Sequence, residues 1–80
     1  MTNFVSSVEE FLKRKIIEIL KQRREGLVFD NLREVLEEKE GVYVEGMLIR
    51  RIVADMVREG LICREPSATL RRMLLRLCKN

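Results

Sequence analysis

Eighty residues with a hydrophobic fraction of 46% make a single domain with a modest core, and the absence of tryptophan makes that core aliphatic. No histidine is present and only two cysteines are, Cys63 and Cys78, which excludes a Cys/His zinc site and a histidine general base. The net charge is +3, and no apolar run reaches the length of a membrane span.

The charge is unevenly spread. Residues 1–40 carry eight Lys/Arg against nine acids, while residues 41–80 carry eight against four. The basic excess of the second half is the footprint expected of a phosphate-binding surface. Charged residues make up 36% of the chain, Arg outnumbers Lys, and Asn and Gln are few, a balance compatible with a thermophilic source.

A first helix is predicted from Ser7 to Arg24 or Glu25, with Phe4 and Val5 before it either extending the helix or stapling onto its first turn. Ser7-Val8-Glu9-Glu10 has the form of a capping box, and Val8, Phe11, Leu12, Ile16, Ile19 and Leu20 make a buried stripe with Ile17 beside it. Lys21, Arg23 and Arg24 suit the negative end of the helix dipole, and Gly26 suits the left-handed C-cap. Leu27-Val28-Phe29 reads as a brief strand or extended connector. Asp30 is then expected to cap a second helix over Asn31 to Glu40, with Leu32, Val35 and Leu36 inward.

The stretch from Gly46 to Ile62 is the most informative. Leu48, Ile49, Ile52, Val53, Met56 and Val57 fall on one helical face, and Gly60 stops the helix. Opposite them lie Met47, Arg51, Ala54 and Arg58, with Arg50 on the shoulder and little acid beside them. Such a face suits an anionic surface, and a helix of this kind fits a DNA major groove.

The last segment has two readings. As a strand after a turn at Pro66-Ser67, Met73, Leu75 and Leu77 alternate with Arg72, Leu74 and Arg76. As a fourth helix capped by Ser67, Leu70, Met73, Leu74, Leu77 and Cys78 share a face, which makes the chain all-α. Propensity favours the helix. Leu61-Ile62-Cys63-Arg64 before the turn wants a hairpin partner, and the hairpin is the expectation. The fold class is then mainly α with a small β-hairpin. The two cysteines are expected to be reduced and partly buried, in a cytoplasmic protein without a leader segment.

Several residues carry a resemblance to a known superfamily. I-I-E-I-L in the first helix, L-x-x-V-L in the second, I-x-x-I-V-x-x-M-V-x-x-G-L-I in the third, and R-E-P-S-A-T-L-R-R-M-L-L-R-L after it resemble the core pattern and wing of winged helix-turn-helix domains, over about Val8 to Leu77. The connection from Glu40 to Glu45 is longer than the tight turn of the simplest helix-turn-helix. The resemblance implies a DNA-binding transcriptional regulator whose third helix lies in the major groove. Arg51 and Arg58 would then point into one groove and reach bases, with Arg50 on the shoulder of the same DNA-binding face, and Ala54 and Met47 would meet thymine methyls. Arg64, Arg71 and Arg72 on the wing would meet phosphates or the minor groove. Tyr43 suits either a phosphate or the core.

The rival reading is a winged-helix docking module in a larger assembly. No enzyme chemistry, metal, cofactor or small-molecule ligand is read from the chain. A homodimer is expected, through Phe4, Val5, Ile17 and either Leu74 or Leu75, because a single recognition helix reads few base pairs.

Overall fold

Apolar residues at helical spacing wind the first part of the chain into α1, Phe4–Gln22, in the computed structural model, which describes residues 4–78 and side chains from Ser7 onward. Leu12, Ile16, Ile19 and Leu20 make its buried stripe. At roughly 28 Å for nineteen residues, α1 is the longest of the three helices. Val8 and Phe11, expected in the stripe, are exposed. The helix runs back through Phe4, so Ser7 lies within it and the expected capping box is not an N-cap.

After α1 the chain turns at Gly26, whose φ is +93°. The position also sits hard against the sheet: a Cβ there would lie 3.1 Å from the Leu75 carbonyl oxygen and 3.4 Å from the Leu74 Cβ. Both constraints favour glycine. Leu27 then pairs with Leu75, its amide donating at 2.9 Å and its carbonyl accepting at 2.7 Å. The expected brief strand is this one bridge.

Helix α2 spans Phe29–Glu38, and its N-cap is the extended residue Val28, not Asp30. Pairing of Leu27 with the sheet holds Val28 extended, so helical geometry begins earlier than a side-chain cap at Asp30 would place it. Asp30 sits in the first turn, where a carboxylate favours the dipole. Leu32 and Leu36 face the core. Helix α3 spans Gly46–Arg58 and buries Ile49, Ile52, Val53 and Met56. It closes with the Leu61 amide donating to the Met56 carbonyl at 2.9 Å and the Gly60 amide to the Val57 carbonyl at 3.1 Å. Those two hydrogen bonds form a Schellman turn, and Gly60 supplies its left-handed residue with φ +83°.

The chain ends in an antiparallel hairpin of β1, Ile62–Ser67, and β2, Arg72–Leu77. The C-terminal segment is thus a strand and not a fourth helix, and the architecture is three helices plus a two-stranded hairpin, an α+β mix. Pro66 and Ser67, expected in the turn, are strand residues, and the turn is Ala68–Arg71. The reason is positional. Leu27 occupies the far edge of β2, so β1 is an outer strand, and an outer strand tolerates a residue without an amide proton. Leu12, Ile16, Leu20, Leu32, Leu36, Ile49, Ile52, Met56 and Ile62 are essentially sealed from solvent at the junction of helices and hairpin.

Cys63 and Cys78 are joined in a disulfide, against the expectation of two free thiols. The register is the cause. Cys63 lies opposite Arg76, and Cys78 follows two residues later on the same face of β2's continuation. The two Cα atoms are 5.1 Å apart, within reach of a disulfide. No helix among the described residues is long and apolar enough to cross a membrane.

Candidate nucleic-acid interface

The hairpin has two faces. Register pairs Ile62 with Leu77, Arg64 with Leu75, and Pro66 with Met73 on the side that meets the helices. At the base of that side the residues are apolar and packed into the core. Toward the tip the core runs out, and Arg64 and Met73 hang over α3. Between hairpin and α3 lies a groove of about 260 Å³ lined by Phe29, Arg50, Val53, Ala54, Val57, Arg64, Met73 and Leu75. A second, shallower depression continues it past Phe29 and Met73 to Asp30 and Arg72.

The Arg50 guanidinium lies over the Phe29 ring, 4.4 Å from its centroid, a cation–π contact that orients the group without neutralising it. Arg50, Arg64 and Arg71 have no acidic partner among the described residues. Arg72 donates to Asp30 at 3.1 Å, but both groups are well exposed, so the pair is weak and easily exchanged for another anion.

The other flank of α3 is different. Arg51 donates to Glu9 on α1 at 2.5 Å and to Asp55 at 3.5 Å. Arg58 pairs with the same Asp55. The hydrogen bond and charge of Glu9 raise the Arg51 pKa further above its ordinary value. Lys13 meets Glu59 at 3.3 Å along the same seam. Acid on α1 and within α3 therefore balances the two arginines that sequence spacing singles out as the groove-facing pair.

Of the eight expected site residues, Arg50, Ala54 and Arg64 line one groove and Arg72 lies at its extension. Met47 is 70% exposed at the start of α3, outside the groove lining. Arg51 belongs to the α1 seam, Arg58 pairs with Asp55 within α3, and Arg71 is at the hairpin tip. Phe29, Val57 and Met73, which floor the groove, are not among the expected site residues. Strand alternation and helical spacing alike read Met73 as core, yet it is 45% exposed. Its place near the tip, beyond the last buried strand pair, is the signal that marks it. Tyr43 is exposed and does not cap the core.

Among the apolar residues expected at a dimer contact, Ile17 packs against the core and Leu75 is buried within it. Leu74 is half-buried beside Gly26, and the side chains of Phe4 and Val5 lie outside the described residues. Among the described residues no group of three or more His, Cys, Asp or Glu side chains is arranged to hold a metal ion. Compared with protein-family models, curated proteins and solved structures, the chain matches none.

Proposed function

We propose that the protein is a winged-helix DNA-binding domain, a small transcriptional regulator that binds duplex DNA through the face shared by α3 and the hairpin. The observation that carries this is the convergence of Arg50 and Arg64 on one groove with no acid to neutralise them. In this reading α3 enters the major groove, Arg50 and Ala54 face base edges, and Arg64, Arg71 and Arg72 meet backbone phosphates. Arg51 and Arg58 contribute less, because binding must first part them from Glu9 and Asp55. The reading puts the protein in the cytoplasm and has two copies sharing a near-palindromic site. Sedimentation equilibrium with and without duplex tests the second copy, and a monomer in both conditions refutes it.

Fluorescence anisotropy on duplex DNA across a salt series tests the interface. Arg50→Ala with Arg64→Ala should weaken binding and lower the salt slope by about one unit for each phosphate that the variant no longer neutralises. Unchanged affinity and slope would overturn the proposal.

A second reading rests on the groove floor. Phe29, Val57 and the exposed Met73 between arginines also suit the apolar face of an acidic amphipathic helix. A folded protein that ignores duplex DNA at low salt would favour this docking role.

A further inference from the structure

The hairpin tip departs from local preference at two adjacent positions. The turn Ala68–Arg71 closes with the Arg71 amide donating to the Ser67 carbonyl at 2.8 Å and the Leu70 amide to the Ser67 Oγ at 3.2 Å. Its last residue must be left-handed, a place that glycine or asparagine fills without strain. Arg71 stands there instead, with φ +56°. Beside it Leu70 is 53% exposed and belongs to no apolar cluster. Neither choice serves the hairpin. Rules broken together at one place, on a turn closed by its own hydrogen bonds, point to a role in binding.

We propose that Leu70 is an apolar wedge that enters the minor groove of bound DNA and unstacks one base step, with Arg71 as its cationic flank. The proposal rests on the DNA-binding reading and adds what the tip does there. Charge complementarity selects the occupant. Arg71 and Arg72 follow Leu70 directly, Arg71 has no acidic partner among the described residues, and Arg72 shares only the exposed Asp30. The negative potential of a narrow minor groove draws arginine in, and an apolar side chain carried beside it slips between base pairs where stacking is weakest. Pyrimidine–purine steps, TA above all, are therefore the preferred point of entry.

The test uses the intact protein and a short alternating A·T duplex, so that every binding register offers a TA step, with 2-aminopurine replacing one adenine. Unstacking raises 2-aminopurine fluorescence, and anisotropy on the same duplex reads binding separately. The wild type should bind and raise the signal. Leu70→Ala should still bind, with the rise lost. Arg71→Gly, which relieves the left-handed strain, should bind more weakly and keep the rise. Binding without any rise, or a rise that survives Leu70→Ala, overturns the wedge and leaves the DNA-binding reading intact. Absence of duplex binding overturns both. Leu70-dependent binding to vesicles rich in anionic lipid, without duplex binding, would assign the tip to a membrane surface instead.

Discussion

Arg51 in the middle of α3 and Glu9 near the start of α1 are 42 positions apart and joined by a 2.5 Å hydrogen bond. The pair lies on solvent-facing surface, with the Arg51 side chain about half exposed. Its contribution to stability is therefore small. Its contribution to charge is larger, because it places an acid beside the α3 face that the proposal assigns to DNA. Glu9→Gln should release Arg51 and tighten duplex binding several-fold at low salt, with the gain fading as salt rises. Arg51→Ala should cost less affinity than Arg50→Ala. Anisotropy titrations of the three variants decide it, and a weaker affinity in Glu9→Gln would refute this role for the pair.

The limits of sequence reading follow the range of the interaction. Helical periodicity and glycine stops place three helices and their inward faces, and the Leu61-Ile62 run after Gly60 places the hairpin, because each is a local signal. The starts of α1 and α2 lie earlier than the capping signals predict, at Phe4 and Phe29. In α2 the Leu27–Leu75 bridge decides the start, not Asp30. The same bridge explains why Pro66 is a strand residue. The disulfide is illegible in the sequence for a related reason. Cys63 and Cys78 meet only in one hairpin register, and that register depends on a turn that begins after Pro66-Ser67. At the candidate site, helical spacing finds the exposed arginines but not which have partners. Glu9 comes from another helix, and Phe29 and Met73 come from either side of the groove.

Gly26 should be the least replaceable glycine. A side chain there meets the Leu75 carbonyl oxygen and also strains the left-handed backbone. Gly26→Ala should destabilise by at least about 1 kcal/mol. Gly60→Ala is the control, since Gly60 is left-handed but open to space, and it isolates the backbone cost. Urea unfolding of both variants should rank Gly26→Ala as the worse. Equal midpoints would mean that the approach to β2 is immaterial.

Lys15 ties α1 to the turn that follows α2 through Glu40 at 3.2 Å and also reaches Glu18 at 3.6 Å. The hydrogen bond to Glu40, followed by the charges of Glu18 and Glu40, raises its pKa above the ordinary 10.5. A lysine pKa raised on folding adds stability that is fully present below the unfolded value and is lost as pH rises through the folded one. The melting difference between wild type and Lys15→Gln should therefore stay constant from neutral pH to about the ordinary lysine pKa, and shrink above it. Melts across alkaline pH check this. A difference that grew with pH would reverse the sign and refute the assignment.

The Cys63–Cys78 bridge closes the hairpin at the end away from the turn, across a sequence separation of 15 residues. A loop of that length limits the unfolded chain by about 3 kcal/mol. For a domain of this size that corresponds to roughly 12–24 °C in melting temperature. Cys63→Ser/Cys78→Ser should melt lower than wild type by that order, and dithiothreitol should bring wild type down to the variant while leaving the variant unchanged. The base of the hairpin carries the core packing of Ile62 and Leu75, so the reduced domain should remain folded at room temperature. The tip, which lies beyond the core, should respond most. Amide exchange should quicken from Arg64 to Met73 on reduction, and the α1 and α3 core amides should hold. Uniform loss of protection through the whole chain would show that the bridge supports the domain as one unit, and an unchanged melting temperature in dithiothreitol would remove its stabilising role.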